Sequence, residues 1–253
     1  MIVFDIGNTD TVIGFYKEEL LIKVLRINSL KNENSIFFEY RILNFMFENN
    51  LDKSLFSKAV ISSVVPILTP FFSNFCKKFL NISPIIVNGS KSDLLKINID
   101  VPEELGSDLF VNAVAALKLY KKNCIIVDFG TALTFTTVTE NGIILGVTIV
   151  PGIKTAINSL FTKTSLLPEV KLEKPSKIIG KNSMHAIQSG IIFGYESLVK
   201  GVIEKIKEEF NNPMIVIATG GLSSVLGDIS DVFDFVDKEL TLKGLYLYGR
   251  HYL

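Results

Sequence analysis

The sequence predicts an α/β chain made of two similar halves, and three observations predict it. The run Ile2-Val3-Phe4-Asp5-Ile6-Gly7-Asn8-Thr9 returns as Ile125-Ile126-Val127-Asp128-Phe129-Gly130-Thr131. Each copy is a β-rich stretch that closes on Asp-x-Gly. Each continues into two more strand patterns separated by charged or glycine turns. Beyond each trio, helical and strand periodicities alternate.

In the first half, strands are predicted over the opening run, over Thr11 to Tyr16, and over Leu20 to Arg26 after the Lys17-Glu18-Glu19 turn. A helix follows from about Ser35 to Asn49, with Ile36, Tyr40, Leu43 and Phe47 on one face. Next come a strand over Ala59 to Val65, a Phe-rich helix (Phe71, Phe72, Phe75, Phe79) read as core, and a short strand over Ile85 to Val87. A helix over about Pro102 to Tyr120 bridges to the second half. There the strands are the second opening run, Thr134 to Thr139 and Ile143 to Val150, with a turn at Glu140-Asn141-Gly142. A long helix spans about Asn182 to Phe210, then come a strand over Met214 to Ala218, a helix, and a strand over Val232 to Val236. A three-strand meander followed by alternating helices and strands is the ribonuclease-H-like plan, here written twice. The expected lobes are residues 1–120 and 121–253, facing each other across an interlobe nucleotide cleft.

Lysine plus arginine and aspartate plus glutamate both total 26 in 253 residues, so the formal net charge is zero. That excludes a bulk polyanion binder, because phosphate neutralisation dominates nucleic-acid affinity. Hydrophobic residues make up 48% of the chain, yet no apolar run approaches the roughly 18 residues a spanning helix needs. The opening residues carry Asp5 within the apolar stretch and have no basic leader, so they are not a signal peptide. Cys76 and Cys124 form neither a disulfide framework nor a metal motif, and read as core thiols in a reducing cytoplasm.

The chemistry concentrates in the two Asp-x-Gly turns. A glycine lets a hairpin backbone approach a ligand closely. Asn8, Thr9, Thr131 and Ala132 then offer backbone N–H groups and hydroxyls to phosphate oxygens. Asp5 or Asp128, at a strand end, can hold a hydrated cation beside those phosphates. Ala218-Thr219-Gly220-Gly221-Leu222 follows an apolar strand, and its glycines permit approach of a base or ribose. Gly106-Ser107-Asp108 opens an apolar helix that carries Asn112. Asp108 is either a helix-start carboxylate or a base for a substrate hydroxyl.

Phosphate, second-phosphate and adenosine segments in this order resemble the actin/Hsp70/sugar kinase superfamily. More finely, the chain resembles the type III pantothenate kinases over nearly its whole length. The matching pieces are DIGNTDTVIGFY from Asp5, VISSVVPILTP from Val60, GSDLFVNAVAAL from Gly106, VDFGTALTF from Val127, PGI from Pro151, LP from Leu167, IGKNSMHAIQSGIIFGY from Ile179, ATGGL from Ala218 and LTLKGL from Leu240. The resemblance implies that Asp5, Ile6, Gly7, Asn8, Thr9, Asp10, Thr11 and Val12 form the ATP phosphate loop, with Asp5 near Mg²⁺. It implies that Thr131 contacts ATP, Gly220 and Gly221 serve the nucleotide, and Asp128 holds a monovalent cation (K⁺ or NH₄⁺). Asp108 is then the general base. Gly106, Ser107, Asp108, Leu109 and Ser183 bind pantothenate. A cytoplasmic homodimer is implied as well.

Five places depart from the family pattern, one being Gly146-Val147 where Gly-Gly is usual at the third strand. Leu109 stands where an arginine is usual, Ile99 near a usual tyrosine, Thr136 for an aspartate, and Lys181-Asn182-Ser183 for Arg-Asn-Thr. Arginine occurs only three times, against 23 lysines, so part of this drift is compositional. The Leu109 change is not, and it removes a bidentate partner for a carboxylate. The expected activity is ATP-dependent phosphorylation of pantothenate at the start of coenzyme A synthesis. The alternatives are a non-catalytic regulatory homologue, or a kinase of a less acidic acceptor such as pantetheine.

Overall fold

The computed structural model describes residues 1–221 and 231–252. The chain divides into two compact units. Unit 1 holds Met1–Tyr120, Gly142–Ile144 and Glu239–Leu253, and unit 2 holds Lys121–Asn141 and Leu145–Lys238. A single cut at residue 120 therefore misses the C-terminal segment, which groups with the first unit.

Unit 1 is built on strands β1 (Ile2–Ile6), β2 (Asp10–Lys17), β3 (Leu20–Asn28), β4 (Ala59–Ser63) and β5 (Ile85–Ile86), in spatial order β3-β2-β1-β4-β5. The meander is antiparallel, and β4 then runs parallel to β1 with Asp5 opposite Ser62. On one face lie α1 (Ser35–Glu48) and α2 (Thr69–Phe75), the latter running into a π-helical turn over Cys76–Leu80. Their core is aromatic: the Phe72 ring centroid lies 5.7 Å from Phe4 and 5.2 Å from Phe38. Within α1 the buried side chains are Phe38, Ile42 and Met46. The stripe Ile36, Tyr40, Leu43, Phe47 instead faces solvent, with Tyr40 64% and Phe47 84% exposed. Phe37 and Phe45 pack partly against the core beside the buried trio, so that face is the wider apolar one and turns inward.

α3 (Ser107–Tyr120) and α6 (Leu240–Tyr252) complete unit 1. The 102–120 stretch is not one helix: a 3₁₀ turn over Pro102–Glu104 ends before Gly106, and α3 starts afresh at Ser107. Residues 109–116 of α3 are all buried, Asn112 included, so this part of the helix is covered on every side. α6 packs on α3, β1 and β4, and its Leu240, Leu242 and Leu245 are buried. A Cβ on Gly244 would collide with the Val111 carbonyl oxygen, so glycine sets how closely α6 and α3 approach.

Unit 2 repeats the plan with β7 (Cys124–Phe129), β8 (Ala132–Val138), β9 (Ile143–Pro151), β10 (Ile215–Thr219) and β11 (Phe235–Val236), in order β11-β10-β7-β8-β9. This is the order of the first sheet, strand for strand. A short β6 (Lys96–Ile97) pairs with the start of β9. α4 (Ile153–Lys163) and the long α5 (Ser183–Phe210) bury Ile153, Ile157, Ile187, Ile191, Ile192 and Val199 against Val127, Phe129 and Phe135 of the sheet. The Tyr195 hydroxyl donates to the Pro151 carbonyl at 2.6 Å. Leu222 and the helix expected after it lie outside the described residues.

Candidate active site

In unit 1, β1 ends on Asp5 and Ile6 and the chain turns through Gly7, Asn8 and Thr9 into β2. The Gly7 N–H donates to the Asp10 carbonyl at 3.0 Å, and a Cβ on Gly7 would lie 2.9 Å from that oxygen. Glycine therefore keeps the turn tight. The turn is braced from β3: the Ser29 N–H donates to the Thr9 carbonyl at 2.8 Å, and the buried Thr11 and Ser29 hydroxyls share a 2.9 Å hydrogen bond. Val12 pairs with Asp5 across β1 and β2.

Ser62, the parallel neighbour of Asp5, connects the turn to α3. Its Oγ lies 2.8 Å from Ser107 Oγ, and Ser107 Oγ also accepts from the Ser63 N–H at 3.0 Å. Thr69 donates to Ser63 Oγ at 2.7 Å. This run of hydroxyls ties the first turn of α3 to the end of β4. Ser62, Ser63 and Thr69 lie in the VISSVVPILTP piece but were not singled out as site residues from the sequence.

Asp108 follows Ser107 in the first turn of α3. Its Oδ1 accepts from the Leu109 N–H at 2.8 Å. A Cβ on Gly106 would collide with that same Oδ1, so the glycine makes room for the carboxyl. Burial among protein atoms pushes the Asp108 pKa up, and the Leu109 N–H opposes this only in part. Such a carboxyl is a better proton acceptor than one in water. Leu109 itself is buried in the core of unit 1. Beside Ser107 opens a cavity of about 320 Å³, lined by Ser63, Asn88, Ser90, Glu103 and Glu104 among others, with no lysine, arginine or histidine among the described residues of its wall.

In unit 2 the second turn is built alike. Asp128 lies opposite Thr134 on β8 and Thr219 on β10, the latter matching the place of Ser62 beside Asp5. The Thr134 and Thr219 hydroxyls are buried and make no hydrogen bond among the described residues. Gly220 has φ +89°, and a Cβ there would lie 2.6 Å from Asp128 Oδ1, so the backbone passes directly over the carboxylate. Thr131 is exposed, and its carbonyl accepts from the Gly152 N–H at 3.0 Å and from the Thr155 hydroxyl at 2.7 Å. Gly221 is exposed. Ser183 opens α5 in an exposed position behind the N-cap Asn182. Ile99 is half-buried and Thr136 fully buried.

Among the described residues no group of three histidine, cysteine or carboxylate side chains could hold a metal by itself. Asp5 nevertheless suits magnesium, which binds through one or two carboxylates and completes its shell with phosphate oxygens and water. Asp128 with the two unsatisfied threonine oxygens is an all-oxygen donor set, suited to a hard cation.

The model of one family, the type III pantothenate kinases, matches residues 1–205. Type III pantothenate kinases of Desulforapulum autotrophicum and Listeria innocua are each 38% identical to the chain. The first match covers 97% of this chain and 94% of that protein, the second 99% and 96%. The chain belongs to the type III pantothenate kinase family. Its fold is also that of more distant solved structures. One is the activator of 2-hydroxyisocaproyl-CoA dehydratase from Clostridium difficile with bound ADPNP (TM-score 0.59, 10% identity, 100% of this chain and 94% of that one). Another is the inorganic polyphosphate/ATP-glucomannokinase of Arthrobacter sp. strain KM (TM-score 0.51, 11% identity, 100% and 99%). The two-lobed kinase fold expected from the duplicated meander is thus what this type III family member has. No helix among the described residues is long and apolar enough to cross a membrane.

Proposed function

We propose that the chain transfers the terminal phosphoryl group of ATP to the hydroxyl of pantothenate, the first step toward coenzyme A. The observation that carries the reading is Asp108: a carboxyl of raised proton affinity, next in the chain to Ser107, which lines a cavity and is tied through Ser62 to the strand next to Asp5. Asp108 accepts the proton of the attacking hydroxyl. The hydroxyl oxygen bonds to the γ-phosphorus, the bond from that phosphorus to the bridging oxygen breaks, and ADP leaves with the electron pair. Asp5 to Val12 hold the phosphates through the backbone of the turn. Asp5 is the residue that would hold a magnesium ion, which would neutralise phosphate charge. In unit 2, Thr131 contacts the phosphates and Gly220 and Gly221 the nucleoside. Gly106, Ser107 and Ser183 line the acceptor, whereas Leu109, buried in the core of unit 1, does not. Asp128, with the Thr134 and Thr219 hydroxyls, takes a monovalent cation, K⁺ or NH₄⁺. The working enzyme is a cytoplasmic homodimer.

The test is Asp108→Asn. Turnover falls by about 10²–10⁴-fold, the range a positioned base contributes, while ATP binding is kept. Unchanged turnover would remove Asp108 from the chemistry.

A second reading rests on the acceptor side. The chain has a leucine, not an arginine, at position 109, and among the described residues the cavity beside Ser107 has glutamates in its wall and no cation. Both features favour an acceptor without a carboxylate, such as pantetheine. Losing a charge-assisted bond weakens binding by roughly tenfold or more. A kcat/KM for pantetheine above that for pantothenate would select this reading, and the reverse order would dismiss it.

A further inference from the structure

The phosphate turn of unit 1 carries two acids, Asp5 and Asp10, yet it must receive a polyanion. Two cations reach it from the chain after β2. Arg26 on β3 places Nη1 3.0 Å from Asp10 Oδ2. Lys31 places Nζ 3.1 Å from Asn8 Oδ1, within the turn itself. The two contacts differ in charge. The Arg26 guanidinium meets a carboxylate and is neutralised by it. The Lys31 ammonium meets a neutral amide oxygen, so its full positive charge persists at the turn. Both Asn8 and Lys31 are exposed, so a ligand can approach them.

The lysine is also held in place through its backbone. Ser29 is fixed to the turn by its N–H on the Thr9 carbonyl and by its hydroxyl on Thr11. Tight hydrogen bonds from Leu30 N–H to Asn28 O (2.9 Å) and from Glu33 N–H to Leu30 O (3.1 Å) then fold the 28–33 segment back beside the turn. A chain of zero net charge has no general positive field to attract a nucleotide, so a single ammonium placed here carries weight.

We infer that Lys31 contacts the phosphates of the bound nucleoside triphosphate, with Asn8 holding its ammonium in position. The inference rests on the reading of residues 5–12 as the phosphate turn. A lysine on the terminal phosphate distinguishes ATP from ADP, whereas one that only props the turn does not.

The experiment measures the affinities of a non-hydrolysable ATP analogue and of ADP, by calorimetry with magnesium present, for the full chain and four variants. Lys31→Met is expected to weaken the ATP analogue by about tenfold and ADP much less, as for loss of one charge-assisted hydrogen bond. Lys31→Arg is expected to restore most of the preference. Lys23→Met removes the same charge from an exposed site on β3 and is expected to change neither affinity. Asp5→Asn reports on the turn itself. An unchanged ATP/ADP ratio in Lys31→Met, or an equal effect from Lys23→Met, would overturn the assignment of Lys31 while the Asp5→Asn effect keeps the phosphate turn. If Asp5→Asn and Lys31→Met both leave both affinities untouched, the turn is not the phosphate site and the assignment falls with it.

Discussion

Asp108 sits where folding works against its charge. Its pKa is raised in the folded chain, so the folded state binds its proton more tightly than the unfolded state does. The stability term from this residue is therefore favourable below its ordinary carboxylate pKa. It is lost as pH rises through the folded pKa, leaving a penalty at neutral pH. Asp108→Asn removes that penalty, so the melting temperature at pH 7 is expected to rise while turnover collapses; a lower melting temperature would contradict the account of its burial. The acid limb of the kcat/KM profile should likewise lie above the ordinary carboxylate range. The Thr219 hydroxyl makes a separate prediction. If it is a cation ligand, potassium stabilises the wild type more than an equal concentration of tetramethylammonium does, and Thr219→Val loses that difference. An undiminished potassium effect would remove Thr219 from the cation set. The aspartates were legible in the sequence because each belongs to a short motif of fixed spacing. The contacts of Ser62 and Lys31 were not, because they join residues 45 and 23 positions apart, which no local pattern records.

Elements were legible where periodicity and punctuation agreed, and less so where two readings competed. The helix α1 is apolar on two faces, and the period alone does not choose between them. The face that includes Phe38, Ile42 and Met46 buries more and points inward. The helix α6 was hidden by Gly244 and Gly249, each unfavourable in a helix interior by about 1 kcal/mol. Both serve close packing: a Cβ on Gly249 would lie 2.6 Å from Val60 Cγ2, and one on Gly244 would meet the Val111 carbonyl. Gly244→Ala is expected to cost about 1–3 kcal/mol through overpacking, against the small gain that alanine brings to an isolated helix. Thermal melting would show a fall of about 2–4 °C per kcal/mol. A more stable variant would mean that α6 does not pack on α3 this closely.

At the scale of the whole molecule, one three-strand meander with two added parallel strands is used twice, in the same order. The repeat of Asp-x-Gly was enough to read this from the sequence, because each copy sets a strand end, a turn and a hairpin at once. What it left out is the C-terminal segment, which belongs to the first unit because α6 packs on α3 and β1. The high apolar fraction is spent on two cores, one per unit. The central claim is that this chain makes a phosphate ester of pantothenate. Incubating it with pantothenate and γ-labelled ATP, magnesium and potassium tests that claim most directly. The account predicts labelled 4'-phosphopantothenate and an equal amount of ADP, formed by the wild type and not by Asp108→Asn. ADP without labelled phosphopantothenate, or no turnover at all, would contradict it.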